Sequence, residues 1–340
     1  MEIKKIDKSG MRETLLNMPK QFRAGIGAAR GISLKTEHSF KPENIIICGM
    51  GGSGMPGEIL ATLRPLDIFV YKSYRLPPQA GKKSLVICIS YSGNTEETVS
   101  AFETAIGKNL PVICITTGGK LAELSQKYQT PVVILPKPYC PPRLALAQMF
   151  AALVKVLQNH ELLDEELLGS ILALEKNLSV EKIENQGKKL AKKFFKKIPI
   201  IYTSSRFQEI GWIWKNSLNE TAKIIAFCNF FPELNHNETV GFEEINRDQV
   251  SNKKISVVIL RDQESSHPRI LKQMEITKGL IEKEGVAVEF VEIEGNNILE
   301  KIFSSAVLGL WTAYWLAMEY GVDPTEIKTI EEFKKRLKEE

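Results

Sequence analysis

Short apolar runs recur along the chain, separated by stretches of helical period. In the first half the runs are IIIC (45–48), DIFVY (67–71), LVICIS (85–90), PVICIT (111–116) and PVVILP (131–136). Each is apolar on both faces, as expected of parallel strands covered by helices rather than of half-exposed strands. Between them lie helical stretches such as ETVSAFETAIG (97–107) and LAELSQKY (121–128). KPYCPPRLALAQMFAALVKVLQNH (137–160) then reads as a proline-rich entry into a long helix. A polar helical stretch, 161–197, forms the connection to the second half. There the style repeats with IPIIYTS (198–204), IIAFCNF (224–230), ISVVILRD (255–262) and VAVEFVEIEG (286–295). This βα alternation predicts an α/β protein of two doubly wound parallel-sheet domains joined by helices. The predicted division is 1–160, an N-terminal helical lead and first domain, and 161–340, connecting helices and a second domain with a C-terminal helix.

Composition narrows the class without changing that picture. A chain of 340 residues, 43% hydrophobic and 25% charged, has the balance of an ordinary globular protein with room for two cores. Its net charge of +4 is mild, and basic residues alternate with acidic ones, as in IEEFKKRLKEE. Such runs are solvated helix faces, so neither nucleic acid nor a membrane is an expected partner. The five cysteines form no CxxC pair, and Cys48, Cys88 and Cys114 fall within apolar strands as small hydrophobes. That usage fits a reducing cytoplasm, and the first 20 residues lack an apolar signal core. The longest apolar helix segment, AVLGLWTAYWLAM, has 13 residues and reads as packed core or subunit contact.

The candidate chemistry lies where two first-half strands run into helices. IIIC is followed by GMGGSG, with Gly49, Gly51, Gly52, Ser53 and Gly54. LVICIS is followed by YSGNT, so that Ser90, Ser92, Gly93, Asn94 and Thr95 precede the next helix. Such turns aim backbone N–H groups and a positive helix end at one point outside the strand ends. Glycine admits close approach and hydroxyls add donors, so two such loops suggest a cradle for one phosphate monoester. Gly49, Gly51 and Gly54 also satisfy a dinucleotide fingerprint, which wants an acid at the end of the next strand. In DIFVYKSYRL the acid, Asp67, stands at the start, and Lys72, Ser73 and Arg75 occupy the far end. No Gly-Lys-Ser/Thr follows the glycines, so a nucleoside-triphosphate loop also fails. Arg143, at the start of the 137–160 helix, is placed either to reach across the strand ends or to form a helix-start salt bridge.

GMGGSG, SYSGNTEET, the PPR helix start, SLNETAK, ELNHNETVGFE and GVDPTEIKTIEEFKKRL resemble, in order, the bifunctional phosphoglucose/phosphomannose isomerases. These are two-domain members of the sugar isomerase (SIS) superfamily, and the resemblance spans Gly49 to the C-terminus. It implies two SIS-type domains and interconversion of glucose 6-phosphate and mannose 6-phosphate with fructose 6-phosphate through a cis-enediol. No cofactor is implied. Glu220 in SLNETAK would be the base, against the default of a solvated helix glutamate. Trp212, Trp214 and Leu218 make its helix apolar, and shielding would raise its pKa toward a useful range. His236 would open the sugar ring, and in relatives it comes from the neighbouring subunit, which implies a homodimer with shared sites. Gly52, Ser53, Ser90, Ser92 and Thr95 would hold the phosphate, and Arg143 would stabilise the enediolate. Lys334 best matches the family's C-terminal lysine, with Lys335 adjacent. His38, His160, His236 and His267 are scattered with no HxH or HExxH, so a metal-free mechanism is expected.

Two other readings compete. An isomerase of a different sugar phosphate, or the sugar half of an aminotransfer enzyme, would use the same loops. The absence of a Cys after Met1 counts against the latter. A phosphosugar-binding sensor or regulator would share the domain, although the roughly 40 residues before the first strand do not read as a helix-turn-helix.

Overall fold

The computed structural model describes residues 3–34, 40–63, 66–137, 141–243, 252–337 and 339; His38 and Cys140 lie outside them. Three helices, α1 (Ile3–Ile6), α2 (Met11–Leu16) and α3 (Lys20–Ala28), precede the first strand. The chain then divides into two compact units. The first comprises Leu16–Leu178 with Ile298–Glu300, and the second comprises Met1–Leu15, Ser179–Asn297 and Lys301–Glu340.

In the first unit, β1 (Asn44–Cys48), β2 (Ile68–Tyr71), β3 (Ser84–Ser90), β4 (Val112–Thr116) and β5 (Val132–Ile134) form a parallel sheet ordered β2-β1-β3-β4-β5. The chain leaves β1 toward β2 on one side and returns to β3 on the other. That reversal opens a crevice outside the carboxyl ends of β1 and β3. Helices α4 (Met55–Leu63), α5 (Glu96–Gly107), α6 (Gly119–Lys127) and α7 (Leu146–Asn159) pack on the sheet. Every residue of β3 is consequently buried, which is why its sequence does not alternate. Cys48, Cys88 and Cys114 stand in register on three adjacent strands. Hydrogen bonding to Cys114 and Cys48, together with burial, pushes the Cys88 thiol well above its usual range. The three side chains fill the core beside Ala101, Phe102 and Leu121. Helix α8 (Glu165–Asn177) packs on α3 and α7. His160 is structural: Leu34 N–H donates to its Nε2 at 2.8 Å, and its Nδ1 lies 2.7 Å from Val156 O.

The second unit carries α9 (Val180–Phe194), β6 (Ile198–Ser204), α10 (Gln208–Glu220), β7 (Phe227–Phe231), β8 (Ile255–Arg261), α11 (Pro268–Lys283) and β9 (Ala287–Glu292). Helices α12 (Ile298–Tyr320) and α13 (Lys328–Arg336) follow. Its parallel sheet is ordered β7-β6-β8-β9, with the same reversal beside the first strand. Strand β7 begins at Phe227, later than its apolar run, because Ile224 belongs to the turn that ends α10, its N–H reaching Leu218 O at 3.4 Å. The 13-residue apolar segment is the middle of the 23-residue α12, where Trp311 and Tyr314 are fully buried. Trp214 of α10 donates from Nε1 to Ser305 O at 2.8 Å, which satisfies the indole inside that core. Among the described residues no helix is long and apolar enough to cross a membrane. The lead is tied to this unit by Asp7, whose carboxylate accepts from Met11 N–H at 2.7 Å and Tyr314 O–H at 3.1 Å. Arg12 then pairs with Glu184 of α9 at 2.8 Å. The chain therefore folds as two parallel-sheet α/β domains.

Candidate active site

The crevice of the first sheet is built from three segments. After β1, Gly51–Ser53 forms a single 3-10 turn before α4. This turn buries Ser53, and Tyr91 N–H donates to its Oγ at 3.1 Å, so the first loop is tied to the second. After β3, Ser90 is fully buried and donates to Thr95 Oγ1 at 2.9 Å while accepting from Gly93 N–H at 3.1 Å. Asn94 N–H donates to Ser92 Oγ at 3.3 Å. Gly93 has φ +73°, and a Cβ there would collide with Gly118 O, so this tight turn demands glycine. Thr95 is half-buried at the start of α5, and Ser92 is exposed.

The third segment is the turn Pro142–Leu144. A Cβ on Gly52 would lie 3.0 Å from Arg143 Cα, so the missing side chain lets the arginine backbone lie against the first loop. Gly52, Ser53, Ser90, Ser92, Thr95 and Arg143 are therefore gathered at one end of one sheet. Lys72 joins them. Its Nζ pairs with Glu58 at 2.6 Å, and its Cε would touch a Cβ on Gly54. Sequence reasoning used Lys72 to argue against a ribose and missed it as a cation beside the cradle. Its position at the far end of the strand after the glycine loop was the available signal.

Glu220, His236 and Lys334 belong to the second unit. Glu220 is the last residue of α10 and is half-buried. It lines a cavity of about 540 Å³ with Asn219, Lys223, Asp323, Glu326 and Thr329. The turn carrying it is held by Asn219 Nδ2 donating to Ile224 O at 2.8 Å and Lys223 Nζ donating to Glu220 O at 2.6 Å. Glu326 is held below its usual pKa by Lys328, with smaller help from Lys8 and Lys223.

His236 ends a short 3-10 turn, Glu233–His236, and is exposed on its own chain. Its neighbours are anchored: Thr277 donates to Asn235 Oδ1 at 2.7 Å, and Tyr202 O–H donates to Glu238 at 2.8 Å. Asn229 donates to the other Glu238 oxygen. Burial, with the Glu238 carboxylate beside it, raises the Tyr202 phenol above its ordinary value. The histidine thus sits on a fixed loop and faces outward. Lys334 is exposed on α13 and does not line the Glu220 cavity, whereas Lys328, Thr329 and Ile330 from the same helix do. Lys335 is exposed as well, 4.0 Å from Glu339.

Comparison with known proteins gives concordant results. Residues 183–337 match the family described as "Bacterial phospho-glucose isomerase C-terminal SIS domain". A bifunctional phosphoglucose/phosphomannose isomerase of Aquifex aeolicus is 36% identical over 87% of this chain and 91% of its own length. Another, of Caldicellulosiruptor bescii, is 35% identical over 97% of this chain and 99% of its own. Among solved structures, the C-terminal domain of glucosamine-fructose-6-phosphate aminotransferase from Francisella tularensis superposes with a TM-score of 0.70. It covers 93% of this chain and 98% of that one at 16% identity, a likeness of fold alone. With 36% identity over 87% of its length to one such enzyme, the chain belongs to the bifunctional phosphoglucose/phosphomannose isomerase family.

Proposed function

We propose that this protein interconverts glucose 6-phosphate and mannose 6-phosphate with fructose 6-phosphate, as an aldose–ketose isomerase of the cytoplasm that uses no metal or other cofactor. The observation that carries the reading is Glu220, a half-buried carboxylate on the wall of a cavity, in a chain that matches named isomerases along most of its length. The labour divides between 1–160, which holds the phosphate, and 161–340, which carries the base.

Gly52, Ser53, Ser92 and Thr95 hold the phosphate by backbone and hydroxyl donors, and Ser90 beneath them orients the Thr95 hydroxyl. His236 of a neighbouring chain protonates the ring oxygen as the sugar opens, in a homodimer with shared sites. The exposure of His236 on its own chain supports that assignment, because a group acting on a partner's substrate must project outward. Glu220 then takes the C2 proton of the aldose, giving a cis-enediolate; the O2 proton passes to O1 through the cis-enediol, and Glu220 returns its proton to C1 to leave the ketose. Arg143 faces the negative charge that develops on the enediolate.

Replacing Glu220 with Gln keeps size and hydrogen bonding but removes the base. Turnover of both aldose phosphates, measured in a coupled assay with EDTA present, should fall by about 10²–10⁴-fold. Exchange of the C2 proton with deuterated water should fall in parallel, while binding of fructose 6-phosphate holds. A Glu220→Gln enzyme that keeps most of its activity would place the base elsewhere.

A further inference from the structure

We infer that Lys223 is a positioning residue for the proton-transfer carboxylate, fixing through its ammonium the peptide that bears Glu220. This rests on the reading of Glu220 as the base. Helix α10 ends at Glu220, and the N–H groups of Thr221 and Ile224 reach back to Ser217 O at 2.8 Å and Leu218 O at 3.4 Å. Lys223 Nζ continues that closure, donating to Glu220 O at 2.6 Å and reaching Thr221 O at 3.5 Å. One residue before the base, Asn219 Nδ2 crosses the same turn to Ile224 O at 2.8 Å. Glu220 therefore stands between two side chains that lock the backbone on either side of it.

The conformation of Lys223 sharpens the argument. Its φ is +58°, in the left-handed region where any Cβ is strained and where glycine closes helices without that strain. Glycine at this position would relieve that strain but would remove the ammonium. The side chain is solvent-exposed, so it ties the carbonyl without losing its own hydration. Lys223 also shares the cavity wall with Glu220, alongside Asp323, Glu326 and Lys328. Proton transfer between C1 and C2 tolerates little displacement of the base, and a shift of about 1 Å in a positioned group lowers rates by about 10²-fold.

The test compares Lys223→Gly with Lys223→Arg. Glycine accepts the positive φ, so Lys223→Gly should melt at or above the wild-type temperature. Its kcat and C2-proton exchange should nevertheless fall together by about tenfold, a partial loss of the positioning effect. KM and the affinity for fructose 6-phosphate should stay unchanged. Lys223→Arg, whose guanidinium reaches the same carbonyls, should recover most of the rate. A Lys223→Gly enzyme with wild-type kcat overturns the inference. So does one whose loss lies in KM, or whose loss of kcat comes with a lowered melting temperature. Glu220→Gln separates the two claims: if it is active, the base reading fails and the Lys223 role with it. If it is inactive while Lys223→Gly is fully active, only the Lys223 role falls.

Discussion

The hydroxyl of Ser90 donates to Thr95 Oγ1 and accepts from Gly93 N–H, so its capacity is taken up inside the loop. Thr95, whose oxygen accepts that bond, keeps its own O–H to donate outward from the start of α5. Ser53 likewise accepts from Tyr91 N–H and retains a proton for a ligand. Ser90 thus orients the donor, whereas Ser53 and Thr95 deliver donors. We predict that Ser53→Ala and Thr95→Ala each weaken binding of fructose 6-phosphate by about 1.5–3 kcal/mol, the worth of a hydrogen bond to a charged group. Isothermal titration calorimetry checks this, and unchanged affinity would remove that residue from the cradle. The cluster of hydroxyls was legible in the sequence, because glycine–hydroxyl turns after apolar runs are local patterns. Which hydroxyl supports which was not, since it depends on a turn closing to within 3 Å.

Both sheets reverse direction beside their first strand, and the loops at the two reversals can be compared position by position. Ser90 stands six positions before Glu96 at the start of α5, and Asp262 stands six positions before Pro268 at the start of α11. Asp262 Oδ1 accepts from Glu264 and Ser265 N–H at 3.1 Å, much as Ser90 Oγ accepts from Gly93. Where the first loop carries hydroxyls, however, the second carries the carboxylates of Asp262 and Glu264. Lys301 of α12 answers them at 2.9 and 2.8 Å. A phosphate would meet two negative charges there, so this loop serves as an anchor for α12 instead. Burial opposes ionisation of Asp262, but the Lys301 ammonium and Ser265 outweigh it and hold the carboxyl below its usual range. Burial likewise opposes the charge on Lys301, and Glu264 and Asp262 raise it above its ordinary value. A depressed carboxyl contributes stability above the ordinary aspartate value near 3.8, and that contribution is lost as pH falls through the lower folded value. Asp262→Ala should destabilise the protein by about 1.5–3 kcal/mol at neutral pH, the worth of a hydrogen bond to a charged group, because Lys301 keeps Glu264 and Ser265 as partners. The difference from wild type should shrink in acid. Denaturant melts at pH 7 and below pH 3.8 measure both, and a pH-independent difference would argue against the ion pair.

At the scale of the whole molecule, the proposed trans role of His236 makes a quantitative prediction. Glu220→Gln and His236→Ala homodimers should each be nearly inactive alone. Subunit exchange would then make hybrids with one intact site, restoring about a quarter of wild-type activity when mixing is random and the dimer is symmetric. Hybrids that stay inactive would put the histidine and the base on the same chain. Two α/β domains, and the glycine–hydroxyl turns that follow two strands of the first, were determined by the sequence itself. Apolar period and turn chemistry are short-range properties, readable within about ten residues. The motif that marks Glu220 is equally local. Only the tertiary structure decided that residues 3–15 belong with the second unit, because Asp7 meets Tyr314 from the far end of the chain. It also decided that Gly52 lies against Arg143 and that Lys72 borders the first loop. The left-handed turn that brings Lys223 back onto the Glu220 carbonyl was decided there too. Each of these is a distance or a backbone angle set by packing, and neither periodicity nor composition encodes it.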